Sequence, residues 1–412
     1  MKRRLERILS LDDFERAARR HLPRPLFGYV ASVAEEGETA RAGREAFNEV
    51  HWLPRALVNV SSISTEVELL GQRFSQPFGI APMGISALTA YRGDMVLAEQ
   101  AQRAEIPMIV SASSLIPMEE LAEATGADWF QAYLPGTLEG IDALLERVIQ
   151  AGYKRLVITV DYPVPPNPEN HRRSGFSSPL KPSARLAWDG LTRPRWLTGT
   201  FLRTLLRHGV PHFENNAATR GVPVLAKHAA RDFAGRRHLD WSTLEHVRSR
   251  FPGQLVVKGI LHPDDARRAC EAGADGLIVS NHGGRQLDAT VAPMTMLPEV
   301  VKAVEGKVPV MIDGGFRRGG QVLKALALGA DFVFVGRPFN YAASVAGGAG
   351  VAHAIRLMSE EIERNMALLG VTAIDQLGPH LLRRREGGTA GATTAADTGV
   401  GAGVETGDKA SD

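Results

Sequence analysis

Eight short apolar runs, each closed by Gly, Pro or polar residues, punctuate the chain at 77–83, 108–113, 129–134, 156–161, 255–259, 277–280, 308–313 and 332–335. Continuous apolar runs of this length read as strands buried on both faces. Between them, apolar residues return with helical period over 94–105, 138–151, 263–272, 297–305 and 320–328, and a longer helix is predicted over 351–369. Strand–helix alternation implies parallel strands, and eight such units predict an α/β fold, a closed (β/α)8 TIM barrel. One interval breaks the rhythm: 162–254 is far longer than an ordinary strand–helix connection and is rich in Pro, Arg and Trp. An insertion after strand four emerges at the C-terminal face of the barrel, where active sites form, so it is expected to act as a lid or docking loop. Within it the stretch from Lys181 to Arg207 sets Lys181, Arg185, Arg193, Arg195, Arg203 and Arg207 against the single acid Asp189, with Leu, Trp and Phe interleaved. That pattern suits either a basic lid over the site or peripheral contact with an acidic membrane surface.

Composition narrows the setting. With 412 residues, 44% of them hydrophobic, the chain can bury a large core, and the strand count favours one domain over 1–385 with the insertion at about 162–254. Residues 386–412 are dominated by Gly, Ala, Thr and acids, a composition that cannot offset its ordering entropy by burial, so a disordered tail is expected there. A net charge of +2 gives no electrostatic support to nucleic-acid binding. Cys270 is the single cysteine, which excludes an internal disulfide or a cysteine-built metal site, and no metal is expected. The first twenty residues lack a secretory apolar core, and no run is long enough to span a bilayer; a cytoplasmic location is expected, with peripheral contact on the inner face of the membrane as a possibility.

The chemistry gathers at the strand ends. After the apolar 276–279 run comes Ser280-Asn281-His282-Gly283-Gly284-Arg285-Gln286-Leu287-Asp288, in which two glycines bring backbone close to a ligand while His282 and Arg285 supply a base and a forked cation. That pair suits a substrate with a carboxylate beside a reactive carbon. The same search of strand ends collects Gly84, Ser111, Gln131, Tyr133, Thr159, Asp161 and Lys258. After strands seven and eight, Asp313, Gly314, Gly315 and Arg317, then Gly336 and Arg337, read as a phosphate site where barrels commonly hold one. Lys258 ends an apolar strand, so its ammonium needs an anionic partner; a flavin that becomes anionic on reduction would provide it.

These segments, together with Ala81-Pro82-Met83-Gly84, Trp129-Phe130-Gln131-Ala132-Tyr133, Thr159-Val160-Asp161 and Val257-Lys258-Gly259-Ile260, resemble the FMN-dependent 2-hydroxy acid oxidases and dehydrogenases from about residue 13 to 381. Within that family, Thr192-Arg193-Pro194-Arg195-Trp196 and Arg207-His208-Gly209 look most like the bacterial mandelate dehydrogenases. The resemblance implies FMN held by Met83, Gly84, Ser111, Gln131, Thr159, Lys258 and Ser280, with its phosphate on 313–317 and Gly336-Arg337. It implies substrate carboxylate binding by Arg285 and Tyr29, a hydrogen bond from Tyr133 to the substrate hydroxyl, His282 as the base and Asp161 as its orienter. The implied activity is oxidation of an L-2-hydroxy acid to the 2-oxo acid, through either initial hydroxyl or initial α-carbon deprotonation. Electrons would pass to a quinone or another carrier, or to O2 in an oxidase yielding peroxide, and the implied assembly is a homotetramer.

Three positions depart from the pattern. Pro168 stands where most relatives carry a second carboxylate-binding arginine, leaving Arg172 or Arg173 to compensate or Arg285 and Tyr29 to work alone. Gly84, where similar oxidases carry Ala, favours a dehydrogenase, and Ser113 in place of a Trp leaves room for a larger substrate side chain. A flavin-binding relative without 2-hydroxy acid turnover is the reading from another class, with Pro168 as its symptom; a different FMN barrel would lack the His282–Arg285 combination.

Overall fold

The structure, a computed structural model, describes residues 5–225 and 236–385. Its centre is a ring of parallel strands: β1 (Phe78–Ile80), β2 (Ile109–Ser111), β3 (Trp129–Ala132), β4 (Arg155–Thr159), β5 (Gln254–Ile260), β6 (Gly276–Val279), β7 (Val310–Asp313) and β8 (Phe332–Val335). Strand β8 pairs in parallel with β1, and a bridge between Ile80 and Met108 closes the ring. Each predicted apolar run thus supplies one barrel strand. The tail expected over 386–412 lies outside the described residues.

Side-chain alternation with period two divides the strands into two cores. Ile109, Trp129, Val157, Val256, Ile278, Met311, Phe332 and Phe334 point inward and fill the barrel, while Leu277, Val279, Val310, Ile312, Val333 and Val335 point outward beneath the helices. The floor is sealed by an antiparallel hairpin, Val67–Leu69 with Gln72–Phe74, whose Leu69 and Phe74 join the inner cluster.

Several helices differ from expectation for local reasons. The helix expected over 297–305 begins earlier, at Pro293, because a proline at the first helical position forfeits no intrahelical hydrogen bond. The last helix begins at Arg337, directly after β8, and runs to Leu369 through a break at Ala346 and Gly347 that hides its first part from a periodicity reading. The interval 162–254 ends in Trp241–Arg250, capped by Asp240 and packed on helix Leu138–Gln150, with His246 Nε2 2.7 Å from Asp142. That is the barrel's own fourth helix, so the stretch with no counterpart in the other units runs from 162 to 240. It carries helices Glu169–Ser174 and Ala184–Leu191 and a helical run from Pro194 to His208 whose middle is π-helical. Trp196 anchors this run, donating its indole N–H to the Leu88 carbonyl at 2.8 Å.

Three short N-terminal helices, Leu11–His21, Arg24–Val30 and Glu38–Glu45, cross the C-terminal rim. Their fastening point is Asp288, whose carboxylate accepts the backbone N–H groups of Glu36, Gly37 and Thr39 at 3.0, 2.9 and 2.9 Å. Donors of a helix start and a carboxylate satisfy one another here, tying the loop after β6 to the N-terminal segment.

Candidate active site

A cavity of about 550 Å³ opens at the C-terminal ends of the strands. The period that sends hydrophobic residues inward continues past them. Ser111 and Ser113 follow Ile109, Gln131 and Tyr133 follow Trp129, Thr159 and Asp161 follow Val157, and Lys258 follows Val256. Ser280 and His282 follow Ile278, Asp313 follows Met311, and Gly336 follows Phe334. The polar layer is therefore the next storey of the same inward stack.

Tyr29, Met83, Gly84, Ser111, Gln131, Tyr133, Thr159, Lys258, His282, Arg285, Asp313, Gly314, Gly315, Arg317, Gly336 and Arg337 all line the cavity. Two other expected residues stand behind this wall. Asp161 Oδ1 lies 3.0 Å from His282 Nδ1. Ser280 is fully buried and lies away from the cavity lining: its Oγ accepts Lys258 Nζ at 2.7 Å and the His282 backbone N–H at 3.0 Å, so it braces both residues.

A carboxylate only accepts hydrogen bonds, so the hydrogen on His282 Nδ1 points to Asp161 and Nε2 is the nitrogen left to face Tyr133. That nitrogen lies 3.2 Å from the Tyr133 hydroxyl. Burial alone would raise the Asp161 carboxyl, but the His282 charge and hydrogen bond, aided by Lys258, hold it below its usual value. Burial, with Asp161 adding to it, pushes the Tyr133 phenol well above its ordinary range, so it is a hydrogen-bond donor and not a base. His282, Gly283 and Gly284 are consecutive left-handed residues, with φ of 56°, 65° and 73°. A Cβ at Gly284 would meet the Ala40 backbone nitrogen at 2.7 Å, so only glycine lets this turn seat against the N-terminal segment.

Lys258 is 3% exposed and forms an ion pair with Asp313 at 2.8 Å. Arg285 donates to the Tyr29 and Val30 carbonyls at 2.9 and 3.3 Å, and its guanidinium lies 4.9 Å above the Tyr29 ring. Arg337 bridges the Ser32 and Gly283 carbonyls at 2.8 and 2.7 Å. Burial lowers Arg317, and burial together with Arg285 lowers Arg337 to about 10. The nearest carboxylates to Arg317, Asp12 and Glu15, are 3.6 and 3.7 Å away, and Arg317 Nε has no hydrogen-bond partner. Two crowded, desolvated guanidiniums beside glycines of positive φ, Gly314 and Gly315, form a receptor for an anion.

Helix Glu169–Ser174 roofs the cavity. His171 stacks on Tyr29 with centroids 5.6 Å apart, and Phe176 packs against both rings. This roof approaches closely because Gly28 lacks a side chain; a Cβ there would lie 2.4 Å from Ser174 Oγ. Pro168 and Arg172 line the cavity, whereas Arg173 pairs with Glu169 on the surface, 71% exposed. Sequence reasoning missed His171, Phe176, Ser32 and Asp288. Asp288 does close the nine-residue segment that holds His282, while the other three are recognisable only once the chain is folded.

The walls fit FMN. Gln131 Nε2, Thr159 Oγ1 and Asp313 Oδ1 are buried without hydrogen-bond partners, a rare state for polar atoms unless a ligand completes them. They line the same cavity as Lys258, which pairs with Asp313 and neighbours Thr159 across the β4–β5 ladder, and the arginine–glycine receptor suits a phosphate. A closed barrel with an anion receptor at β7 and β8, unpartnered buried polar atoms on its wall and a part-buried base–carboxylate pair between β4 and β6 suits an enzyme that moves a proton beside a phosphate-bearing cofactor.

Comparison with known proteins places it further. A family described as FMN-dependent dehydrogenase matches residues 18–384. The (S)-mandelate dehydrogenase of Pseudomonas putida is 34% identical over 379 residues, 92% of this chain and 94% of the relative. The L-lactate oxidase of a Nostoc strain is 38% identical over 379 residues, 91% and 98% of the two chains. A crystal structure of the monotopic membrane protein (S)-mandelate dehydrogenase superposes with a TM-score of 0.82 at 32% identity, covering 92% of this chain and all of the other. The chain belongs to the FMN-dependent dehydrogenase family, and FMN is its cofactor.

Proposed function

We propose that this protein oxidises L-2-hydroxy acids to 2-oxo acids and passes the electrons to a membrane quinone or a similar carrier. The observation that carries this reading is the Tyr133–His282–Asp161 chain of contacts at 3.2 and 3.0 Å, facing Arg285 across one cavity. Named relatives include (S)-mandelate and L-lactate dehydrogenases, and L-lactate and 4-hydroxymandelate oxidases.

Arg285 and the Tyr29 phenol bind the substrate carboxylate, fixing the α-carbon beside His282. The α-hydroxyl takes a hydrogen bond from Tyr133, and His282 accepts the substrate's proton at Nε2. Asp161, held ionised, keeps the imidazole in the required tautomer and stabilises its charged form. When bound, FMN supplies the two-electron acceptor for the oxidation. Lys258, held by Ser280 and Asp313, places a fixed cation against the cofactor's side of the cavity.

Gly84 is packed so tightly that a Cβ would lie 2.8 Å from both Ser113 Cβ and the Tyr29 hydroxyl, so alanine there would shift the carboxylate-binding phenol. The surface of the insertion favours a membrane carrier over O2. Trp188, Leu191, Leu202 and Leu206 are exposed on the insertion among Arg185, Arg195, Arg203 and Arg207, a face suited to an anionic bilayer. Among the described residues no helix is long and apolar enough to cross a membrane, so contact through this face is peripheral.

The test is direct. The expected result is a yellow purified protein whose absorbance near 450 nm bleaches anaerobically with an L-2-hydroxy acid and not with the D enantiomer. Flavin left oxidised by a broad panel of such acids contradicts the reading, and stoichiometric peroxide in air contradicts the carrier assignment.

A further inference from the structure

The cavity carries more positive charge than the proposed chemistry consumes. Its lining includes Arg172, Lys258, Arg285, Arg317 and Arg337 but one carboxylate, Asp313, which is already paired with Lys258. Asp161, just behind the wall, is matched with His282. A phosphate monoester carries about 1.5 to 2 negative charges at neutral pH, enough for Arg317 and Arg337. A single carboxylate occupies Arg285. Arg172 is left over, and among the described residues its side chain has no hydrogen-bond or ion-pair partner.

Its placement gives that surplus a direction. Arg285, on the loop after β6, donates to the Tyr29 and Val30 carbonyls, whereas Arg172 stands on the roof helix Glu169–Ser174, at the exposed rim of the same cavity. Its neighbour His171 is held neutral: burial and then the Arg285 charge lower it to about 4. His171 therefore adds no competing charge, and its Nε2 is a buried polar atom without a partner. The roof thus offers a free guanidinium and a neutral imidazole to whatever extends from the α-carbon toward the mouth. The lining near this roof also includes Tyr162, Pro165, Pro166 and Phe176, with Ser177, Ser178 and Gln286 as its neutral polar groups, so Arg172 is the one charged group the roof helix offers to the cavity.

We propose that the preferred substrate is a dicarboxylic L-2-hydroxy acid, with Arg285 binding the carboxylate next to the hydroxyl and Arg172 binding the distal one. This rests on the 2-hydroxy acid reading above and adds the substrate class. A charge-assisted hydrogen bond at a partly exposed rim corresponds to about a tenfold preference.

The test compares L-2-hydroxyglutarate with its 5-monoamide, which keeps size and hydroxyl but loses the distal charge. The readout is the ratio of their kcat/KM values with a dye acceptor, in the wild-type holoenzyme, Arg172→Gln and Arg172→Lys. The proposal expects a ratio near ten in the wild type, near one in Arg172→Gln, and substantially restored in Arg172→Lys. A wild-type ratio near one overturns it, as does a ratio unchanged by Arg172→Gln. Equal loss on both substrates in Arg172→Gln would move Arg172 to the first carboxylate and also overturn it. If monocarboxylic 2-hydroxy acids bleach the flavin and hydroxyglutarate does not, this proposal alone fails; if no 2-hydroxy acid bleaches it, the underlying reading fails too.

Discussion

In the proposed reaction His282 acts through what stands behind it. Asp161 fixes its tautomer, Ser280 caps its backbone N–H, and two glycines complete a left-handed turn that no ordinary side-chain sequence would adopt. Replacing Asp161 with Asn keeps the shape but removes the charge, and the amide can offer its N–H to Nδ1, which would leave Nε2 protonated and unable to accept. Turnover by Asp161→Asn should fall about 10²- to 10⁴-fold with FMN content unchanged, as judged from the flavin-to-protein absorbance ratio. Unaltered turnover would show that the carboxylate only packs. The residues of this layer were legible in the sequence because inward alternation carries straight from apolar core to polar site along one strand. Ser280 was legible as part of the motif, but its work as a brace for Lys258 depends on a contact across 22 residues that no spacing reveals.

At the scale of elements, the strands were readable and the roof was not. A strand buried on both faces announces itself by a continuous apolar run, but the short helix Glu169–Ser174 is polar and follows a proline-rich segment, so no periodicity marks it. Its position depends on a close approach: Gly28 on helix Arg24–Val30 meets Ser174 with no room for a side chain. Gly28→Val should push the roof away from Tyr29 and raise KM for the acid roughly tenfold, with a smaller effect on kcat, because the stacked His171–Tyr29 pair is disturbed while His282 is not. Steady-state kinetics decide this; equal loss in kcat and no change in KM would place the roof outside substrate binding. The helix at Trp241–Arg250 is hidden for another reason: it follows directly on the long insertion, with no shift in composition to mark where the barrel resumes.

For the whole molecule, the barrel positions chemistry at one rim and the insertion sets what that rim meets. Trp196 is turned in and bonded to Leu88, while Trp188 and Leu206, 67% and 86% exposed, are turned out among arginines. Cosedimentation should therefore show binding to phosphatidylglycerol vesicles, weaker binding to neutral vesicles, and loss of both with the double substitution Trp188→Ser and Leu206→Ser, while turnover with a soluble dye persists. Binding indifferent to lipid charge and to these substitutions would reject this face as the docking surface. Charge interleaved with apolar residues was visible in the sequence, but which part covers the cavity and which part is exposed needed the fold, which places Glu169–Ser174 over the cavity and leaves Trp188 and Leu206 in solvent. The central claim, that His282 is the base of an FMN-dependent 2-hydroxy acid oxidation, is tested most directly by the anaerobic rate of bleaching near 450 nm in the wild type and in His282→Gln. The account predicts full FMN content in both, rapid bleaching by an L-2-hydroxy acid in the wild type, and a rate at least about a hundredfold slower in the variant; equal rates would contradict it.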